Sequence, residues 1–403
     1  MTTMASVPRA ADAVVVGGGT IGAWAAWFLT RAGLGDVVLL ERDTLGQGAS
    51  SRAAGMVRAQ GGTEAAVRLG MFSRDFYASQ RDRYPLDSGF VAQGYLMPCF
   101  TDTEVSAAHD RIALQRSLGL DVEWWDGDEV DRRATGLAPG ATRGASYAAG
   151  DGYLDAPRNV LAYTAALVAL GVEVREHRSF TGLRVEGGRA VGVDTSDGPI
   201  HADAVVLTGG PDLAAVGAAA GGHVWAGGTR HQVVVTAPVP GVDPRTLPMV
   251  FDVTSGIYWR PGEEGGLLWG MSNPDEQPGR AREFDHDYYQ RMRARVAALY
   301  PATAGLGVRR SWAATIDYTP DHLPIIGPLL RDGEPLAGTV VASAGGHGMM
   351  WGPGVARATA DLVLHGHTDL LDLTDLGLDR FDADGGSRLA ADPIALPFPQ
   401  RTH

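Results

Sequence analysis

The stretch Asp12-Ala13-Val14-Val15-Val16-Gly17-Gly18-Gly19-Thr20-Ile21-Gly22 decides the fold. The β-branched run ending at Val16 predicts a buried parallel strand, and the glycines that follow at once fit GxGxxG. In that pattern Gly17 permits the tight turn, Gly19 lets backbone approach a pyrophosphate, and Gly22 lets a helix pack on the sheet. The helix is expected from about Thr20 to Ala32, with Trp24, Trp27 and Phe28 available for its packed face, and Gly33 and Gly35 stop it. The N–H groups of its first turn, at Thr20 and Ile21, would meet a diphosphate. Val37 to Leu40 predicts a second buried strand ending in Glu41, 19 residues after Gly22, where a carboxylate can accept ribose hydroxyls. Glu41 disfavours a 2′-phosphate, although the adjacent Arg42 blunts that argument. The pattern is a dinucleotide site, and by itself it does not separate FAD from NAD.

The rest of the chain bounds what can be built around this unit. Its 403 residues, 45% hydrophobic and 20% charged, fit a globular protein of two or three domain-sized units. A single cysteine, Cys99, excludes an intramolecular disulfide, a multi-thiolate cluster and a Cys-rich zinc site. All 34 basic residues are arginine, so a lysine Schiff base and a Walker-type lysine are excluded. The net charge of −13 disfavours nucleic acid as a partner, because phosphate would be repelled. No apolar run approaches the ~20 residues of a membrane span, and Met1 to Ala11 lacks the build of a signal peptide. A cytoplasmic protein is expected, with oligomeric state open. There is no HExxH, no GxSxG and no paired metal-ligand spacing, so no metal is expected, and His365 and His367 read as exposed.

Further along, helices are expected at Glu64–Arg83, Thr103–Leu118, Asn159–Leu170 and Asp285–Tyr300, and near Val355–Leu364. Buried or alternating strands are expected at Tyr95–Pro98, Val122–Trp125, Val172–Val174, Ala204–Leu207, Gly256–Arg260, Leu267–Met271 and Val340–Ser343, with a hairpin turning at Gly187-Gly188. The organisation is a nucleotide-binding domain in separated pieces (1–83, 151–221 and 313–370). A sheet-rich domain is inserted between them (84–150 and 222–312), and an irregular tail (371–403) follows.

Three segments make the sequence resemble the FAD-dependent D-amino-acid oxidase, sarcosine oxidase and dimethylglycine dehydrogenase superfamily. The first runs from Glu41-Arg42-Asp43 through Gly46-Gln47-Gly48-Ala49-Ser50-Ser51-Arg52-Ala53-Ala54-Gly55-Met56-Val57-Arg58. The second is Asp151 to Pro157 with Phe180-Thr181-Gly182-Leu183 and Ala204 to Gly210. The third is Thr319 to Pro328 with Gly345-Gly346-His347-Gly348-Met349. The resemblance implies an α/β fold, an FAD-binding Rossmann-like domain with an inserted antiparallel-sheet substrate domain. It also implies that Gly48, Ser50, Ser51, Arg52, Ala54, Gly55 and Met56 run along the diphosphate and ribityl chain up to the ring. Phe180, Gly209 and Gly210 would lie toward adenine, and the loop Gly345–Met349 would lie over the pyrimidine side.

The departures concern chemistry. Some relatives tether flavin through a His-Ala-Ala-Gly run, where this chain has Arg52-Ala53-Ala54-Gly55; others use a cysteine where this chain has about Ala314. FAD is therefore expected to bind without a covalent link. The lysine that promotes reaction with oxygen falls at about Leu268, and a second, which assists the substrate carboxylate, falls near Met350.

The resemblance implies oxidation of the C–N bond of an amino acid or N-methyl amino acid by hydride transfer to flavin. Water then hydrolyses the imine, and oxygen or another acceptor takes the electrons; a dehydrogenase of the same family and a flavin monooxygenase are the alternatives. Arg58 is the leading substrate residue, since a guanidinium suits two-point contact with a carboxylate. Arg52 is a candidate for stabilising charge that develops on the ring. His347 is a catalytic candidate in the glycine-rich loop, and Tyr258 and Trp259 are candidates for the pocket wall together with Leu268 and Met350.

Overall fold

The structure is a computed structural model that describes residues 9–394. The strand Arg9–Val16 is followed by the helix Thr20–Arg31 and the strand Val37–Leu40, so the opening βαβ unit forms where the apolar pattern and glycines place it. The strand lies between Val37–Leu40 and Gly198–Leu207, parallel to both, with Val14 opposite Val38 and Val205. Glu173–Arg175 extends this sheet on one side, and Thr339–Ser343 extends it on the other. An antiparallel hairpin, Phe180–Glu186 with Arg189–Thr195, turns at Gly187 and Gly188, whose φ angles are 56° and 78°. Both values are positive, which glycine adopts without steric cost.

One face of this sheet is covered by four helices, Thr20–Arg31, Glu64–Arg83, Ala156–Leu170 and Gly348–His365, around a core that includes Val15, Leu39, Trp24, Tyr77, Tyr163 and Ala356. Local chemistry fixes their ends. Thr63 caps the second helix through the Ala66 N–H, and Asp155 caps the third through the Arg158 N–H. The opposite face of the sheet packs on the hairpin and on Leu213, Leu329 and Leu378.

The second sheet has eight strands in the spatial order 308–318, 227–236, 267–272, 257–261, 249–252, 95–99, 144–148 and 123–126. All its pairings are antiparallel except that of Met249–Asp252 with Tyr95–Cys99. Side chains alternate faces along a strand. Trp259, Trp269 and Met271 join the helix His286–Leu299 on one face, while Tyr258 and Leu268 join Ala54 and Met56 on the face turned to the nucleotide-binding half. Trp259 therefore belongs to the far core and does not wall a pocket, because it is one residue out of register with Tyr258.

Two boundaries differ from expectation. The strand Val308–Tyr318 pairs along its length with Gly227–Thr236, so the sheet continues through the expected boundary at 312/313. The last helix begins at Gly348, well before Val355, despite Pro353 inside it. Proline removes the N–H that would bond the Met349 carbonyl. Tyr77 supplies its hydroxyl to that carbonyl at 3.0 Å, and the next N–H, at Gly354, donates to Ser73 Oγ at 3.0 Å. The helix Glu64–Arg83 thus satisfies the groups that the proline disrupts. The tail is irregular over its described residues, with a short 3₁₀ turn at Leu378–Arg380. Residues 395–403 of the expected tail lie outside the described residues.

Candidate active site

A long cavity of about 2100 Å³, its open mouth included, runs from the end of the second strand to the face of the inserted sheet. Its inner end is built of backbone. Gly17 has φ +103°, and a Cβ there would lie 2.7 Å from the Thr208 carbonyl oxygen; a Cβ on Gly22 would lie 2.0 Å from the Gly17 carbonyl oxygen. At Gly19 the only atom near such a Cβ is Ser50 Oγ, at 3.2 Å. The helix starting at Thr20 has no side-chain cap from Gly19, and it carries no carboxylate in its first turn. That open cradle suits an anion at a helix N-terminus. The Glu41 carboxylate is oriented by two backbone donors, Gly18 N–H to Oε2 and Asp43 N–H to Oε1, both at 2.8 Å.

Lining this half are Gly17, Gly19, Thr20, Ile21, Gly22, Glu41, Arg42, Gly48, Ser50, Ala54, Gly55, Met56, Phe180, Gly209 and Gly210, with Gly346, His347, Gly348 and Met349 toward the sheet. Three expected residues stand off the lining. Ser51 donates its N–H to the Gly46 carbonyl. Gly345 shapes the turn instead, with φ +56° and its N–H on Ser343 Oγ at 3.1 Å. Arg52 is turned to the carbonyls of Gln47 and Gly48, which it caps, so it does not reach the place expected for the ring.

Several lining residues are not among the expected site residues. Thr208 bonds the Val16 carbonyl at 2.6 Å and packs against Gly17 and Gly22. At the mouth, Asp212 is gripped by Arg42 and Arg280, and Arg178 and Arg282 also face the cavity. Arg280 and Arg282 belong to a loop pinned by Gly279 N–H to the Gly228 carbonyl at 2.7 Å. Asp317 is buried against the glycine-rich loop, with Ser343 Oγ on its Oδ2 at 2.8 Å, and burial raises its carboxyl above the usual range.

The far end is built of side chains. Arg58 lines it at 2% exposure. Its hydrogen bonds go to the carbonyls of Gln60 and Ile394, the latter at 2.9 Å, and its guanidinium lies 5.3 Å from the Phe251 ring centroid. Among the described residues no carboxylate forms an ion pair with it. Across the cavity the Tyr258 hydroxyl bonds His231 Nε2, and His231 Nδ1 lies 2.7 Å from Ser272 Oγ. Burial pushes Tyr258 far up and His231 down to about 4. Both groups are therefore neutral, and where the tyrosine O–H donates to Nε2 the Nδ1–H donates on to Ser272. Gly270 makes room for this tyrosine, since a Cβ there would lie 2.2 Å from its hydroxyl oxygen. Met350, Tyr95 and Phe251 complete the wall. Leu268 does not line the cavity; it is buried in the cluster with Val235 and Met249. Burial, with the Arg58 charge and His322 adding to it, holds the His347 imidazole well below its ordinary value.

Residues 12–362 match the DAO family, described as FAD dependent oxidoreductase. The chain belongs to that family. It is an FAD-dependent oxidoreductase, and the glycine cradle, the oriented Glu41 and the length of the cavity fit that cofactor. The flavoenzyme is 29% identical over 380 residues to glycine oxidase of Geobacillus kaustophilus, covering 92% of this chain and 97% of that protein. It is 28% identical over 393 residues to 4-methylaminobutanoate oxidase (formaldehyde-forming) of Paenarthrobacter nicotinovorans, covering 95% of this chain and 47% of the relative. The mouse mitochondrial sarcosine dehydrogenase is 25% identical, with 90% and 40% covered. The chain thus spans less than half the length of these last two relatives. Among solved structures it superposes on L-proline dehydrogenase from P. horikoshii with a TM-score of 0.84, at 26% identity over 93% of this chain and 98% of that one. For the G. kaustophilus glycine oxidase structure the TM-score is 0.79, at 28% identity over 93% and 100%. No helix among the described residues is long and apolar enough to cross a membrane.

Proposed function

We propose that this flavoenzyme oxidises the C–N bond of a carboxylated primary or secondary amine, an amino acid or N-methyl amino acid. The observation that carries the reading is Arg58, a buried cation on the cavity wall with no carboxylate among its described partners. Asp151 and Asp392 act on Arg58 through their charges but form no ion pair with it among the described residues, and a substrate carboxylate would add charge-assisted hydrogen bonds to this buried cation. The relatives named for glycine, sarcosine and 4-methylaminobutanoate share that substrate chemistry.

FAD, when bound, supplies the acceptor for the hydride that leaves the carbon next to nitrogen; the resulting imine is hydrolysed by water, and oxygen takes the two electrons. Gly17, Gly19 and Gly22 would hold the diphosphate, and Glu41 the ribose. Gly346 to Met349 would lie against the ring, with no covalent link. Arg58 fixes the carboxylate end of the substrate. The Tyr258 oxygen, whose proton is committed to His231, accepts from the substrate N–H. An imidazole held down to about 4 is too weak a base to take an ammonium proton, so this pair orients the amine. The neutral amine is the form that enters, because a second positive charge beside Arg58 would be repelled in a dry site.

One observation favours a second acceptor: Leu268 is packed away from the cavity and the chain has no lysine, which fits a dehydrogenase that passes electrons to a carrier other than oxygen. The test is anaerobic bleaching of the flavin by a panel of amino acids, N-methyl amino acids and uncharged amines, followed by air. Bleaching by carboxylated amines, lost in Arg58→Met with flavin content unchanged, is the expected result. Equal bleaching by uncharged amines would overturn the substrate reading, and slow reoxidation without peroxide would transfer the enzyme to the dehydrogenases. Acid precipitation should leave the yellow colour in the supernatant.

A further inference from the structure

The tail that follows the last helix returns to the substrate end of the cavity, beyond the family match, which stops at residue 362. Its anchor is Asp321, in the turn before the glycine-rich loop. Arg380 donates to it through Nε to Oδ2 at 2.7 Å and Nη2 to Oδ1 at 3.0 Å, both side chains fully buried, and Ser387 Oγ adds a bond to Oδ2 at 2.6 Å. From there the Asp392 N–H donates to the Asp321 carbonyl at 3.1 Å, and Asp392 Oδ1 accepts the Ile394 N–H at 3.1 Å. Asp392 is buried, its Oδ2 has no hydrogen-bond partner among the described residues, and its carboxyl feels the charges of Arg58 and Arg111 and the Gly62 backbone. The approach needs a bare backbone opposite, and Gly62 provides it: a Cβ there would lie 2.3 Å from Asp392 Oδ1 and 2.7 Å from Pro393.

This route ends on the substrate residue. The Ile394 carbonyl accepts from Arg58 Nη2 at 2.9 Å, and the fully buried Ile394 side chain joins the cluster of Ala54, Met56, Tyr95, Phe251 and Tyr258.

We propose that the tail segment Arg380–Ile394 is a specificity element of the active site, in which Asp392 holds Ile394 so that its carbonyl sets the angle of Arg58 and its side chain limits the room beside Tyr258. The inference rests on the reading of Arg58 as the carboxylate site. Ile394 and Asp392 are positioning residues: neither needs to touch the reacting atoms. A guanidinium has five N–H donors in one rigid plane, so a fixed carbonyl on Nη2 determines where the remaining donors point.

The experiment uses the full-length holoenzyme and propionate as the carboxylate probe, its dissociation constant read from perturbation of the flavin absorbance. Asp392→Ala should weaken propionate about tenfold with flavin content unchanged, and should raise KM for N-methylglycine rather than lower kcat. Asp392→Asn, which keeps an oxygen for the Ile394 N–H, should recover most of that loss. Ile394→Ala, the milder change should Asp392→Ala fail to fold, should improve kcat/KM for an N-methyl amino acid with a longer side chain about tenfold relative to N-methylglycine. Wild-type propionate binding in folded Asp392→Ala, or unchanged selectivity in Ile394→Ala, would overturn the proposal. Arg58→Met separates the two layers. If it too leaves propionate binding intact, the carboxylate reading itself falls; if it abolishes binding while the tail variants do not, only the role of the tail falls.

Discussion

The two ends of the cavity are made in different ways. At the nucleotide end the surface is backbone: Gly17 and Gly22 are so close to Thr208 and to each other that no side chain fits, and one carboxylate, Glu41, is oriented by two N–H groups. At the substrate end the surface is side chains from separate strands, with Arg58, His231, Tyr258 and Phe251 contributed by four of them or by their extensions, and Ile394 of the tail is buried in the cluster behind Tyr258 and Phe251. A backbone site tolerates almost no change because its atoms have nowhere to go. A side-chain site can be retuned residue by residue, which fits a family whose members are named for different amines while sharing one cofactor.

The sharpest way to break this contrast is Gly22→Ala. The new Cβ would fall 2.0 Å from the Gly17 carbonyl oxygen, and the backbone must shift. FAD affinity should drop at least about 100-fold, roughly 3 kcal/mol, measured by flavin retained after gel filtration, with circular dichroism reporting the fold. Retention of stoichiometric flavin would show that the cradle is more plastic than its geometry implies.

Next in size is Tyr258→Phe. It removes one oriented hydrogen bond at the substrate end, so kcat/KM should fall about tenfold to a hundredfold while flavin stays bound. Loss of flavin instead would place the tyrosine with the cofactor.

A pH series separates the two ends further. His231 has an ordinary value of 6.5 and is held down to about 4 by burial. Above 6.5 the imidazole is neutral folded or unfolded and contributes no pH dependence. As pH falls from 6.5 toward 4 the unfolded chain takes up a proton that the folded chain refuses, so the stability this neutral histidine provides is lost across that window. Thermal denaturation from pH 7.5 to 4 should show a shallower decline in His231→Gln than in the wild type. Over pH 6 to 9, kcat/KM should rise with the ionisation of the substrate's own ammonium, and an enzyme-derived limb in that range would contradict a neutral His231.

The smallest effect is expected at the mouth. Arg280 is about half exposed and pairs with Asp212, which Arg42 also holds. Exposed pairs contribute ~0–1 kcal/mol and are screened by salt. Arg280→Ala should therefore weaken FAD binding no more than about fivefold, and by less at high ionic strength. A larger loss would make the loop around Gly279 a true clamp on the cofactor.

The nucleotide end was readable in the chain because its physics is local. Glycines at fixed spacing between a β-branched run and a helix can do only one thing, and Glu41 follows at the end of the next strand. Arg58 was singled out through resemblance to a family, and the structure puts it on the cavity wall. His231 was not, because a histidine in an alternating strand carries no mark of the tyrosine that reaches it from two strands away. Arg52 misled for a related reason: sequence places it beside the cavity lining, but its guanidinium finds the carbonyls of Gln47 and Gly48 before it can reach the cavity. Leu268 sits on the expected strand and the expected face, yet packs among neighbours that hold it off the lining. The early start of the last helix was hidden by Pro353, whose disrupted bonds are met by residues far away in sequence, Tyr77 and Ser73.

Sequence alone determined the dinucleotide unit and the absence of lysine chemistry, since these follow from residue type and near-neighbour spacing, while the choice of FAD came through resemblance to a family. Tertiary structure alone decided which buried cation faces the cavity, which imidazole meets the tyrosine, and where the tail returns. Those depend on distances between atoms tens to hundreds of residues apart, and such distances are set when two sheets and a returning tail pack, not by any local preference of the chain.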